Sequence, residues 1–186
     1  MDCQNFSDSQ LVYKSIENSI YFECLYKKYE YKLTRFVSRN SNFGTEIIQD
    51  ILQDAFIKIW KNIRDFDDSQ SFSTWAYRIV YNETVSYWRK STSFGKNKTK
   101  DISNFLNLSA ENNELSFEKE EKVMRIINKL PQKYKSVLIL KYFEDMGYEE
   151  ISDVLQIPEG TVATHLNRAR KMFFEVANNM NVSFID

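Results

Sequence analysis

Thr161, Thr164, His165, Arg168 and Lys171 recur at helical spacing near the end of the chain. Hydroxyls, an imidazole and two cations on one helical face suit a DNA major groove, where they reach base edges and phosphates. The opposite face is apolar, since Val162, Leu166, Ala169 and Phe173 step by four, three and four residues. The polar surface of an ordinary helical bundle has the same look, and helix-turn-helix geometry also occurs in bundles that bind nothing. A second constellation is Asp50, Gln53 and Asp54, with the two acids one helical turn apart. By residue type alone it reads as a solvated acidic face. A third is aromatic. Tyr77, Tyr81, Tyr87 and Trp88 interleave with Arg78, Arg89 and Lys90, a pattern that suits stacking on unpaired bases but also suits a core.

Catalysis is not expected. No nucleophile–base pair or phosphate-binding loop stands out, and the single histidine lies on the polar helix face. Cys3 and Cys24 belong to no Cys-x-x-Cys motif, and one histidine cannot complete a zinc set with them. Neither a cofactor nor a metal is expected, and the cysteines read as two reduced thiols of a cytosolic protein.

The elements that must position these residues are helices. Ile151, Val154 and Leu155 give a short helix one apolar face. Gln156-Ile157-Pro158 then breaks the period, because proline lacks an N–H and restrains the residue before it. Thr45 to Asn62 is a second clear helix, with Ile48, Ile51, Leu52, Ala55, Phe56, Ile59 and Trp60 as a broad apolar stripe. Phe22 to Val37 and the stretch from Phe72 show the same period. A first helix around Leu11, Val12 and Ile16 is expected after Ser7 or Ser9. Glu118 to Lys129 is predicted helical through Val123, Ile126 and Ile127. Pro131 opens another helix, with Tyr134, Val137, Leu138 and Tyr142 inward. Asp145-Met146-Gly147 reads as a turn, and the last helix is expected to fray after Phe173.

Composition agrees with an all-α chain. Of 186 residues 42% are hydrophobic and 15% aromatic, with only four Gly and two Pro, few for turn-rich β structure. The net charge of −1 means that any DNA contact comes from local patches. No apolar run is long enough to span a membrane, and the N-terminus lacks a signal-peptide pattern. Between Thr84 and Lys100, Arg89, Lys90, Lys96, Lys98 and Lys100 stand without an acid. Residues 93–117 read as a flexible linker whose acids, among them Glu111 and Glu114, continue into the next helix.

The string LPQKYKSVLILKYFEDMGYEEISDVLQIPEGTVATHLNRAR resembles the promoter-binding domain of bacterial sigma factors, most closely the extracytoplasmic-function (ECF) group. Leu130-Pro131, Tyr148-Glu149-Glu150-Ile151, Gly160-Thr161-Val162 and Arg168-Ala169-Arg170 fall at that family's spacing. QDILQDAFIKIW and DFDDSQSFSTWAYRIVYN resemble the same family. The resemblance implies two small helical domains on a flexible linker: 1–92, then the linker 93–117, then 118–178 with the helix-turn-helix, and a tail 179–186. It implies that Asp50, Gln53 and Asp54 dock on the β′ clamp helices of core RNA polymerase. It also implies that Phe66 and Asn82 take bases of the melted minus-10 element, with Lys58 on the DNA. Thr161, Thr164, His165, Asn167, Arg168, Arg170 and Lys171 are then expected at the minus-35 duplex. An anti-sigma factor is an expected partner, and a bacterial cytoplasm the expected location. Three positions depart from the family pattern. Ala163 replaces a usual basic residue and His165 an arginine, which bears on which promoter is read. Gln156 stands where a tight turn often has glycine, at a cost of about 1 kcal/mol if its φ is positive. The rival reading is a stand-alone helix-turn-helix regulator, which has no use for the Asp50–Asp54 face or the Phe66 loop.

Overall fold

Ser7 starts the first helix by pairing reciprocally with Gln10. Its Oγ accepts from the Gln10 N–H at 3.2 Å, and Gln10 Oε1 accepts from the Ser7 N–H at 2.9 Å. This is α1 (Asp8–Glu17) of a computed structural model that describes residues 3, 5–93 and 114–182. The described residues form helices and 3₁₀ turns joined by short loops, with no strand among them, and the chain divides into two compact units, Met1–Ile102 and Ser103–Asp186.

In the first unit a 3₁₀ turn (Ser19–Tyr21) leads into α2 (Phe22–Asn40). Then come α3 (Thr45–Asn62), a second 3₁₀ turn (Ile63–Asp65) and α4 (Phe72–Ser93). The period-3.6 stripes meet as expected: Leu33, Phe36 and Val37 of α2, Ile48, Ala55 and Ile59 of α3, and Ala76 and Val80 of α4 are all sealed from solvent. Asp8 ties α1 to α2, accepting from Lys28 Nζ at 2.6 Å and from the Tyr29 hydroxyl at 2.5 Å. Burial first, and then this bond to Asp8, push the Tyr29 phenol far above its ordinary value.

Two expectations for this unit are corrected, and for Tyr77 the core alternative holds. Tyr77 is core, 2% exposed, with its ring edge-on to Phe36 at 5.1 Å. Trp60 is 40% exposed and leans on Phe22 at 5.0 Å, because the stripe on α3 is wider than the groove that covers it. Cys3 and Cys24 are joined as a disulfide, not held as two thiols, with Cα atoms 5.6 Å apart. The return of the chain through α1 brings Cys3 to the first turn of α2, within bridging range, across 21 residues where spacing gives no sign of it.

The second unit contains α5 (Glu114–Ile127), α6 (Gln132–Tyr142), α7 (Tyr148–Leu155) and α8 (Glu159–Asn179). Helix α5 begins a turn before the expected Glu118, and α4 runs through Ser93. Of the expected linker, residues 94–113 lie outside the described residues, Lys96, Lys98, Lys100 and Glu111 among them. Helix α6 is the centre of the unit. Tyr134, Lys135, Ser136, Val137, Leu138, Ile139 and Leu140 are buried in succession, so the helix is covered on all sides. Tyr142 is not inward as expected. It is 57% exposed, and its hydroxyl accepts from Arg170 Nε at 2.7 Å. Helix α8 does not fray after Phe173 but runs to Asn179, because Ala177 is buried against the unit.

Candidate functional site

The turn between α7 and α8 is made by Gln156 in the left-handed conformation, φ 54 and ψ 47. Two bonds hold it there. Ser152 Oγ donates to the Ile157 carbonyl, and Gln156 Nε2 to that of Asp153, both at 2.6 Å. Glu150 steadies the start of α7 by accepting from the Gly147 N–H at 2.8 Å. Pro158 sets the entry into α8. Val162, Leu166 and Ala169 anchor α8 to the core, so its other face is presented by packing rather than by chance.

That face carries the expected residues in three groups. Thr164, Asn167, Arg168 and Lys171 are exposed. Thr164 donates its hydroxyl proton to the Gly160 carbonyl at 2.8 Å, which leaves its oxygen outward as an acceptor. Arg170 turns to the side, onto the ring and hydroxyl of Tyr142. Thr161 and His165 are half-buried. The His165 ring stands edge-on to Tyr134 at 5.5 Å, and its Nδ1 is buried with no hydrogen-bond partner. Burial first, then Lys133 and Arg168, hold the imidazole below its ordinary value. His165 is therefore neutral at physiological pH.

In the first unit Asp50, Gln53 and Asp54 are exposed on α3, opposite Ile48, Ile51, Leu52, Ala55, Phe56 and Ile59. Neither acid is paired with a cation among the described residues. Phe66 leaves the 3₁₀ turn half-buried against Phe72 and Trp75, with ring centroids at 5.8 and 5.2 Å. Asn82 is exposed on α4. Lys58 is ion-paired with Glu83 across α3 and α4, so it must release a carboxylate before it can contact DNA. The aromatics after Tyr77 are mostly packed, with Tyr87 and Trp88 both against Phe43.

One contact was invisible to spacing. The Tyr13 hydroxyl donates to Asp68 Oδ2 at 2.6 Å, tying α1 to the Phe66 loop across 55 residues. Inside that loop Asp67 Oδ1 accepts from the Ser69 N–H at 3.0 Å, and this bond holds the Asp67 carboxyl below its ordinary value. Helical period could not point to Tyr13, because it lies on the exposed side of α1.

Two family models match the two units. Sigma-70 region 2 covers residues 25–94 and Sigma-70, region 4 covers residues 120–173. The ECF RNA polymerase sigma-E factor of Haemophilus influenzae is 33% identical over 165 residues, which is 81% of this chain and 84% of that protein. This chain belongs to the ECF RNA polymerase sigma factors. The ECF sigma factor SigW of Bacillus subtilis is 35% identical over 133 residues, 66% of this chain and 71% of that one. The fold matches too. CnrH, solved in complex with the cytosolic domain of CnrY, superposes with a TM-score of 0.68 at 20% identity, over 91% of this chain and 96% of that one. As an ECF sigma factor the chain is a transcription-initiation factor, and the stand-alone regulator is not favoured. No described helix is long and apolar enough to cross a membrane.

Proposed function

We propose that this sigma factor divides its work among three surfaces. The Asp50–Gln53–Asp54 face of α3 docks on the β′ clamp helices of core RNA polymerase. The loop around Phe66, with Asn82 and Lys58, takes the melted minus-10 strand. The exposed face of α8 (Thr161, Thr164, Asn167, Arg168 and Lys171, flanked by Arg170 and His165) lies along the minus-35 duplex. The observation that carries this reading is the unpaired acidic face on a helix whose apolar side is already complete. Exposed carboxylates with no cation paired to them among the described residues are free to meet a basic partner, and charge complementarity of that kind governs encounter rate and register. A regulator that acts without polymerase has no need of them.

The bond-making chemistry belongs to the polymerase, and this chain contributes binding and positioning. The RpoE sigma factor from Bartonella quintana was solved with the anti-sigma factor NepR. A soluble chain of two such units, held in the bacterial cytoplasm by a partner of that kind, is the regulation proposed here. Run-off transcription with core polymerase on a promoter library tests the assignment. Specific transcripts are expected with the intact chain, and none with Asp50→Arg/Asp54→Arg. Duplex binding without transcripts would favour the regulator.

A further inference from the structure

Lys133 and Arg168 come from different helices, yet they converge on one phenol. The Tyr134 ring is buried at the start of α6, 8% exposed. Lys133 Nζ stands 5.0 Å from the centre of that ring. Arg168, from α8, brings its positive charge toward the Tyr134 hydroxyl and favours the charged form of the phenol. His165, one turn before Arg168, stands edge-on to the same ring at 5.5 Å. Neither Lys133 nor Arg168 is ion-paired among the described residues. Two cations held beside one phenol leave a concentrated positive field with no ion-paired counter-charge among the described residues. The phenol hydroxyl has its own proton to donate. The cluster thus offers an ammonium, a guanidinium and an O–H to one external anion, a donor set that suits phosphate. It lies on the flank of α8, beside the face assigned above to the duplex.

We propose that Lys133, Tyr134 and Arg168 clamp one backbone phosphate of the minus-35 duplex, with His165 as a positioning residue that props the Tyr134 ring. The clamp rests on the assignment of α8 to duplex DNA. It shifts His165 from reading a base to holding the phenol. Its neutral imidazole, with Nδ1 buried, adds no charge to the contact. The field of the clamp itself holds the Tyr134 phenol below its ordinary value, Arg168 contributing most and Lys133 next.

The test is holoenzyme binding to a fluorescent promoter duplex, selected from randomised minus-35 DNA and then scanned with single methylphosphonates. Lys133→Ala is expected to weaken binding about tenfold and to lower the log–log salt slope by about 0.9. Tyr134→Phe, which keeps the ring, is expected to lose roughly fivefold to tenfold with the slope unchanged. One methylphosphonate position should cost the wild type a similar factor and cost Tyr134→Phe almost nothing further. His165→Ala should weaken all sequences alike, and His165→Phe should restore affinity without changing the selected motif. The clamp is overturned if Lys133→Ala and Tyr134→Phe bind like wild type while Arg168→Ala still binds poorly, or if His165→Phe changes the motif. Competition by millimolar inorganic phosphate with no sensitive methylphosphonate position would show a free-anion site and overturn it too. If Arg168→Ala and Thr164→Ala are also silent, the assignment of α8 to duplex DNA is what fails, and the clamp falls with it.

Discussion

Lys135 sits in the middle of the second unit and is 3% exposed, with Nζ donating to Asn128 Oδ1 at 2.7 Å. Burial lowers its ammonium from 10.5 to about 8. Both the folded and unfolded chain hold this proton at pH 7, so the whole cost of burying the charge is present there. The drop in pKa corresponds to about 3 kcal/mol. Lys135→Met keeps the unbranched stem and removes the charge, but it also gives up the charge-assisted bond to Asn128, worth roughly 1.5–3 kcal/mol. The variant should therefore be up to about 1.5 kcal/mol more stable at pH 7, in line with buried charges that are replaced by apolar groups. The advantage has a defined pH window. Between about pH 8 and 10.5 the folded chain binds fewer protons here than the unfolded one, so wild-type stability rises with pH at this site. The gap should narrow across that range and close near its top. All three tryptophans, Trp60, Trp75 and Trp88, lie in the first unit, which makes the second unit separable. Urea unfolding followed by circular dichroism, with tryptophan fluorescence as the control, reads it. A variant less stable than wild type at pH 7, or a gap that stays constant above pH 8, would refute the reasoning.

Asp54→Arg should weaken binding to core polymerase by at least tenfold while leaving the melting curve unchanged, since the side chain is exposed. A titration against core enzyme checks this, and equal affinity counts against the docking face. Phe66→Ala should impair open-complex formation by the roughly 1–3 kcal/mol of a stacked base, with closed-complex binding spared. Permanganate footprints that match wild type on a linear promoter would leave Phe66 as a packing residue of the Phe72–Trp75 cluster only. Reducing the Cys3–Cys24 bridge should lower the stability of the first unit by about 3 kcal/mol, the loop-closure value for a loop of this size. Unchanged tryptophan-detected midpoints with and without reductant would mean that the bridge does not constrain the unfolded chain. Gln156→Gly should stabilise the second unit by about 0.5–1 kcal/mol by relieving the left-handed turn, and an unchanged or lower urea midpoint would place the strain elsewhere.

Helical class, the two-unit plan and the helix-turn-helix were all legible in the residues, because they follow from local rules. An apolar stripe at period 3.6 needs one buried side wherever it packs, so Val162, Leu166 and Ala169 were safe inward positions. Gln156 and Pro158 marked their turn because backbone sterics act within a few residues. The family strings placed the acidic face of α3 and the exposed face of α8, whose outward residues only need a complete core behind them. Other features required the tertiary structure. Trp60 stayed partly exposed, and Tyr77 was decided as core, because the width of a stripe does not say how wide the facing groove is. Cys3 met Cys24, and Tyr13 met Asp68, through the return path of α1, and spacing carries no information about partners so far apart. Tyr142 and Lys135 went opposite to their apparent polarity. Helix α6 is enclosed by its neighbours over its whole middle, so position along the helix, not residue type, set their exposure. His165 lies on the polar face of a helical wheel, and only the tertiary structure shows its ring edge-on to Tyr134 of α6. Local chemistry determines which face of a helix is available, but the neighbouring helix decides which of its side chains remain free to act.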